Sequence, residues 1–120
     1  MQQEPHSVLD VAIVGAGFGG LCAAIRLRES GVAQSLVILE RSGEVGGTWR
    51  DNIYPGCACD VPSHLYSFSF APNQQWTRPY PQQREVQDYI LRVTADYGLR
   101  PLIRFNAEVL AMRWLAAQQC

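Results

Sequence analysis

The chain has 120 residues, a net charge of -1, and 48% hydrophobic and 18% charged residues. This length suits one domain, and the composition is typical of a globular protein, which excludes a disordered tail or a coiled coil. The near balance of charge gives no electrostatic reason to expect nucleic acid or an anionic membrane as a partner.

The charge pattern also predicts the location of the protein. The first long stretch without charge, residues 11–25, contains fifteen residues and four glycines, whereas a membrane span needs roughly 20 apolar residues. Glu4 and Asp10 precede this stretch and no basic residue does, which is unlike a secretory signal. We therefore expect a cytoplasmic protein.

The first forty residues predict a strand, a helix and a second strand. Residues 8–14 (VLDVAIV) form a short apolar run that is typical of a strand buried on both faces of a parallel sheet. Residues 20–30 favour a helix, and Gly31 suits the left-handed position that ends one. Residues 35–40 (SLVILE) form a second apolar run. The order indicates a βαβ unit at about residues 8–40, with its strands in parallel.

The rest of the chain predicts a loop, a helix and two more strands. Residues 41–81 are rich in glycine, proline and aromatic residues, so we expect a long functional loop there. Apolar residues recur at helical spacing within residues 82–97, and Gly98 stands where this helix would end. Two runs within residues 102–115, namely 102–105 and 108–115, predict strands, after which the chain stops without a closing element. We interpret the chain as an N-terminal fragment of a longer protein.

A glycine pattern joins the first predicted strand to the helix. Gly15, Gly17 and Gly20 occupy the three glycine positions of G-x-G-x-x-G. The first allows a tight turn, the second lets a pyrophosphate approach the backbone, and the third lets helix and strand pack closely. The helix then directs unpaired N–H groups at the phosphates. Glycine-rich turns are common, but the flanking strand and helix make this one a candidate dinucleotide site.

Glu40 ends the second predicted strand, twenty residues after Gly20. A carboxylate there can accept hydrogen bonds from both hydroxyls of an adenosine ribose and would repel a 2′-phosphate, so we expect FAD or NAD in preference to NADP. The other interpretation is a structural turn with a solvent-facing Glu40. Gly43, Gly46 and Gly47 would let the chain pass close to a ligand. The long excursion after them favours FAD, because an NAD dehydrogenase would pass to another helix after a short connection.

A metal site is the other chemistry that the loop suggests. Cys57, Cys59, Asp60 and His64 lie close together in sequence, but one intervening residue is not the usual spacing of a zinc pair, and a second pair is missing. We expect loop cysteines and no metal. The aromatic residues of the loop lack interleaved basic residues, so we expect them to be buried rather than to stack on nucleic acid.

Three stretches resemble the start of a flavin-dependent Baeyer-Villiger monooxygenase of the 4-hydroxyacetophenone monooxygenase type, related to the flavin-containing monooxygenases. They are residues 11–40, GGTW at 46–49, and YPGCACDVPSHLYSFSF at 54–70. The resemblance implies an α/β, Rossmann-like fold with a parallel sheet, at the N-terminus of a flavoprotein with two dinucleotide-binding domains. It implies FAD bound here and NADPH bound mainly in the second domain. The substrates would be O2 and a small ketone or heteroatom compound, with no nucleic-acid or membrane partner.

The resemblance also implies roles for individual residues. The glycine loop would hold the pyrophosphate, Glu40 the ribose, residues 48–51 the flavin, and residues 58–60 the nicotinamide cofactor. Asp60 would be the catalytic residue, because it would orient an arginine, supplied from outside this chain, that stabilises negative charge during oxygen transfer. The fragment alone would then be inactive. The implied cofactor-binding residues are Gly15, Ala16, Gly17, Phe18, Gly19, Gly20, Glu40, Arg41, Gly47, Thr48, Trp49, Arg50, Asp51, Ala58, Cys59, Asp60, Tyr66 and Val109.

Two alternatives stay open on the sequence. The chain could be the FAD domain of another pyridine-nucleotide-dependent flavoprotein oxidoreductase, which would share the glycine loop and Glu40 but has no evident need for residues 54–60. It could also be a truncated chain that binds nothing, since three or four strands without the rest of a sheet leave an edge and apolar surface uncovered.

Overall fold

The computed structural model describes residues 8–120. Within that range the chain forms a three-stranded parallel sheet of order β1-β2-β3, with helices between the strands. The fold is therefore the Rossmann-like α/β arrangement that the sequence predicts. The elements are β1 (Val11–Val14), α1 (Phe18–Ser30), β2 (Leu36–Leu39), α2 (Thr48–Asp51), α3 (Gln83–Asp96) and β3 (Ile103–Arg104), with 3₁₀ turns at Ser63–Leu65 and Arg100–Leu102.

The β1-α1-β2 unit positions the glycine loop. β1 and β2 pair in parallel from Val11 opposite Leu36 to Val14 opposite Leu39. α1 begins at Phe18, two residues before the predicted start, because Gly17 is already its N-cap. It ends at Gly31, whose φ of 69° is left-handed as expected.

The prediction of a first strand buried on both faces and starting at residue 8 is wrong for these residues. β1 begins at Val11, and its residues alternate between half-buried and exposed, with Val14 55% exposed. The physical reason is that Ala12 and Val14 share one face of the strand, and no described element covers that face.

The segment 41–81 is more ordered than an irregular loop. α2 forms directly after Gly46 and Gly47, whose φ angles of 128° and 53° turn the chain sharply. Further on, the segment is fastened to the start of α3: the Cys59 N–H donates to the Pro81 carbonyl at 2.8 Å, and the Gln83 N–H donates to the Cys57 carbonyl at 3.0 Å. The middle of the segment is thus bound to its carboxyl end and to the start of α3.

α3 supplies much of the core, as its periodicity predicts. Its buried face shares one core cluster with residues of α1, β2 and the loop, and the chain turns at Gly98, with a φ of 61°. The central buried residues are Leu21, Ala24, Ile25, Ile38, Val45, Val86, Tyr89, Ile90, Val93, Leu99 and Ile103.

The two strands predicted within residues 102–115 are largely corrected. The first is reduced to Ile103–Arg104, which pairs with β2. No strand forms at 108–115, and Leu110, Met112 and Trp114 are exposed. A strand in this apolar run would need a partner strand, and no described residue pairs with it.

Three further observations concern residues 8–120. No helix there has the length and apolar character to cross a membrane. All four cysteines are free. No three histidine, cysteine or acidic side chains in that range cluster as metal ligands would.

A candidate dinucleotide cleft

A cleft of about 450 Å³ opens at the carboxyl ends of β1 and β2, a size within the roughly 300–1,000 Å³ of small-molecule sites. Ligands of open parallel α/β sheets bind at this end of the strands. Predicted cofactor residues that line it are Gly15, Ala16, Gly17, Glu40, Arg41, Gly47, Thr48, Arg50, Asp51 and Val109. Lining residues that were not predicted are Val14, Leu39, Ala107 and Glu108.

The glycine loop has the geometry that its motif requires. Gly15 has a φ of 95°, in the left-handed region. A Cβ on Gly20 would lie 1.9 Å from the Gly15 carbonyl oxygen, so α1 can approach β1 this closely only with glycine there. No described residue accepts a hydrogen bond from the backbone N–H groups of residues 17–20. These N–H groups at the start of a 13-residue helix are available for an anion.

A second glycine turn packs against the first at the wall of the cleft. A Cβ on Gly47 would lie 3.3 Å from the Gly17 Cα, and the Gly46 N–H donates to the Ala16 carbonyl at 2.9 Å. The two turns therefore touch backbone to backbone. Because the glycines have no side chains, a ligand beside them can approach the main-chain atoms.

Glu40 is buried beneath the cleft, with 4% of its surface exposed, so the solvent-facing alternative is wrong. Its Oε2 accepts from the Ala16 N–H at 2.8 Å, and its Oε1 accepts from the Ser42 N–H at 2.9 Å. The carboxylate thus fixes the glycine loop. Oε2 can accept a second hydrogen bond, so the group can still bind a ribose hydroxyl.

Arg50 provides the counter-charge for Glu40. Its Nη1 lies 3.3 Å from Glu40 Oε1 and donates to the Glu44 carbonyl at 2.8 Å. Its Nε and Nη2 bind the two Asp51 oxygens at 2.8 and 3.1 Å. This bidentate contact, with Glu40 adding to it, raises the pKa of Arg50, and the same contact lowers the pKa of Asp51. The guanidinium stays charged and holds the cleft wall together.

Arg50→Leu should lower the free energy of unfolding by about 2–3 kcal/mol, less than for a fully buried pair because 15% of the Arg50 side chain is exposed. The loss arises because Glu40 keeps its buried charge without a cation. Urea unfolding measures this. Arg41→Leu is the matched control, since the Arg41 side chain is 67% exposed and 4.0 Å from Asp51; equal losses in the two variants would contradict the assignment.

Other predicted residues lie beside the cleft. The Trp49 Nε1 donates to the Tyr66 hydroxyl at 3.0 Å, and Phe18 meets the Tyr66 ring edge-on at 5.4 Å. Burial, the main cause, raises the pKa of Tyr66, so its hydroxyl stays protonated. Phe18 and Tyr66 line a neighbouring hollow of about 290 Å³. Gly19 and Gly20 lie in the first turn of α1.

Ala58, Cys59 and Asp60 do not line the cleft. Cys59 is buried, and Ala58 and Asp60 are exposed. Asp60 makes no side-chain hydrogen bond or ion pair with any residue that the structure describes. Cys59 and Asp60 instead lie near Tyr66, whose pKa both help to raise.

Of the unpredicted lining residues, two carried a signal in the sequence. Val14 and Leu39 are the last residues of their strands, where ligands of such sheets bind. Ala107 and Glu108 carried none. The Ala107 N–H donates to the Glu40 carbonyl at 2.9 Å. These two residues are 67 positions apart, so no local sequence pattern indicates their contact.

Known proteins resemble this chain over most of its length. A Baeyer-Villiger monooxygenase of Streptomyces coelicolor is 56% identical over 112 residues, which are 93% of this chain and 21% of that protein. A crystal structure of ε-caprolactone-bound cyclohexanone monooxygenase matches 92% of this chain with a TM-score of 0.85 and 33% identity, and a crystal structure of OTEMO with FAD and NADP matches 96% with a TM-score of 0.84 and 30% identity. The chain covers 22% of each of these two structures, and so spans about a fifth of the length of its relatives.

The names of these relatives agree with the resemblance seen in the sequence. The family model for NAD(P)-binding Rossmann-like domains matches residues 13–82. Because that match covers more than half of the chain, from within β1 through the glycine loop and Glu40 to the edge of α3, the chain belongs to the NAD(P)-binding Rossmann-like domain family.

Proposed function

We propose that the cleft binds FAD and that the chain is the FAD-binding portion of an NADPH-dependent flavoprotein monooxygenase. The parent protein would insert one oxygen atom from O2 into a ketone, or add it to a heteroatom. The observation that carries the proposal is that one cleft brings together the glycine loop, Glu40 and the turn at residues 47–51. Relatives named as Baeyer-Villiger and FAD-binding monooxygenases support the choice of FAD.

The phosphate end of the cofactor fits the start of α1. The unpaired N–H groups of residues 17–20 and the positive end of the helix dipole would bind the pyrophosphate. Gly17 and Gly47 leave no side chain between this backbone and the ligand. In this arrangement the protein supplies hydrogen-bond donors and a partial positive charge.

The sugar end fits Glu40. The carboxylate is held rigid by two backbone N–H groups and by Arg50, so it needs no rearrangement to accept from ribose hydroxyls. Arg41, Val109 and the backbone near them line the same end of the cleft and would contact the adenine side. Bound FAD would supply the redox chemistry, while these residues bind and orient it.

The remaining assignments belong to the proposal. Asp60 would orient an arginine that stabilises negative charge at the reacting oxygen, and Ala58 with Cys59 would contact NADPH. The exposure of Ala58 and Asp60 leaves these two residues accessible to other parts of a larger protein. Trp49 and Tyr66 would pack beside the flavin. We also propose a cytoplasmic location, which rests on the acidic residues before the first apolar run.

Reconstitution with FAD tests the proposal. The complete gene product, stripped of ligand and incubated with FAD, should become yellow, with flavin absorption that stays with the protein through gel filtration. NADPH and a ketone or sulfide should then give oxygen consumption and an oxygenated product. A protein that remains colourless would overturn FAD binding. Bound FAD with NADPH oxidation but no oxygenated product would favour the other class of flavoprotein oxidoreductase.

Asp60→Ala should leave FAD affinity unchanged and lower the yield of oxygenated product per NADPH by roughly tenfold to hundredfold, since a group that holds positive charge at the reacting oxygen is lost. Product and NADPH oxidation are measured together. Asp88→Ala, which removes another exposed carboxylate on α3, is the control. Normal yield in Asp60→Ala would refute the catalytic role.

A further inference from the structure

Two glutamines of α3 contact the glycine turn that lines the cleft. Gln83 is the first residue of α3 and Gln87 lies four residues later, so their side chains share one face of the helix. The Gln87 Nε2 donates to the Val45 carbonyl at 2.8 Å, and the Gln83 Nε2 donates to the Trp49 carbonyl. The two side chains therefore bind the backbone on either side of the turn.

The turn between these two carbonyls needs such support. Gly46 and Gly47 both have positive φ, and glycine loses more conformational freedom on folding than any other residue. Gln87 packs directly on the turn, because a Cβ on Gly46 would lie 2.1 Å from the Gln87 Oε1. The amide of Gln87 thus restricts the glycine turn at the cleft wall.

Stability alone does not explain a glutamine at position 87. Its Oε1 is buried and accepts no hydrogen bond from any described residue. A buried acceptor without a donor is unfavourable. Methionine would fill a similar volume and would bring no such acceptor. What glutamine provides is the Nε2 donor for the Val45 carbonyl.

Gln83 links the turn to a second segment. Its backbone N–H donates to the Cys57 carbonyl at 3.0 Å, while its side chain donates to the Trp49 carbonyl. The next residue along that segment, Ala58, pairs with Gln82 in an antiparallel bridge. The first turn of α3 therefore holds the cleft wall and residues 57–59 in one relative position.

We propose that Gln83 and Gln87 are positioning residues for the cofactor. By fixing the carbonyls of Trp49 and Val45, they hold Gly47 and Thr48 at the wall of the cleft. Neither glutamine lines the cleft, so their effect on a ligand passes through the turn. This inference rests on the proposed function, in which the cleft binds FAD.

The test measures FAD affinity and apoprotein stability separately. Gln83→Met and Gln87→Met in the complete gene product should each weaken FAD binding by roughly fivefold to tenfold, the effect of losing about one hydrogen bond. Titration of the apoprotein followed by flavin fluorescence gives the Kd. Gln82→Met is the control, since the exposed Gln82 side chain makes no hydrogen bond within residues 8–120, and its Kd should equal that of the wild type.

A donor-retaining variant distinguishes positioning from a structural role. Gln87→Lys keeps an N–H donor for the Val45 carbonyl but buries part of a charge, which lowers stability. We expect the apoprotein of Gln87→Lys to melt below that of Gln87→Met and yet to bind FAD more tightly. A purely structural role would move melting temperature and affinity in the same order.

The outcomes separate the two proposals. If the wild type binds no FAD, the proposed function falls and this inference falls with it. If the wild type binds FAD and both methionine variants bind it equally well, or if affinity follows melting temperature across the Gln87 variants, the inference alone is overturned.

Discussion

Gly20→Ala should lower the free energy of unfolding by about 3 kcal/mol or more. The added methyl group would overpack the contact between α1 and β1, where the clashing atom belongs to the backbone and cannot simply rotate away. The added Cβ would lie 1.9 Å from the Gly15 carbonyl oxygen and 3.3 Å from the Ile13 Cγ2. Neither contact is the far end of a flexible side chain, so α1 must move away from β1. That movement also displaces the N–H groups proposed to bind phosphate, and FAD retention should fall with stability.

Gly19→Ala is the matched control for this prediction. Gly19 lies in the same turn of α1, its φ is not left-handed, and a Cβ there would meet nothing within 4 Å. Alanine should be neutral or should stabilise the helix by up to about 1 kcal/mol. Thermal and urea unfolding of the two variants provide the comparison, and equal stability of both would show that the close approach of helix and strand is not required.

Glu40→Arg should abolish retention of FAD in the purified protein. The substitution removes the proposed ribose acceptor and the acceptor for the Ala16 and Ser42 N–H groups, and it places a second cation beside Arg50. The flavin-to-protein ratio measures the effect. A wild-type ratio in this variant would exclude Glu40 from FAD binding.

Glu40→Gln separates the loss of binding from the loss of structure. It keeps the shape of the side chain and one acceptor oxygen, and it should weaken FAD binding by roughly tenfold to hundredfold with native circular dichroism. Glu44→Gln is its control, because Glu44 is partly exposed and its side chain pairs with Arg100. Similar Kd values for the two variants would argue against a specific role for Glu40.

The sequence predicts the parts of the fold that local patterns encode. β2, α1 and α3 follow from short apolar runs, helical periodicity and the left-handed glycines at positions 31 and 98. α2 could not be predicted because its four residues form a helix through the sharp turn at Gly46 and Gly47, not through any periodicity of their own. The strand predicted at 108–115 fails for the opposite reason: the pattern is present, but no described partner strand is.

The candidate site divides in the same way. Gly15, Gly17 and Gly20 were identified because each has a distinct steric task within six residues. The position of Glu40 was predicted, but its hydrogen bonds to Ala16 and Ser42 and its ion pair with Arg50 were not, since they depend on how the loop closes over the strand. Gln87 was missed for a related reason, because a side-chain bond to a carbonyl 42 residues away has no sequence signature.

The contact between Gly17 and Gly47 also bears on protein engineering. Because the two turns meet main chain to main chain and Gly47 has a positive φ, a bulkier residue at position 47 would press on the Gly17 backbone. A designer who transplants the hexapeptide 15–20 into a new scaffold would therefore have to transplant the turn at residues 46–47 as well, since the two turns support each other.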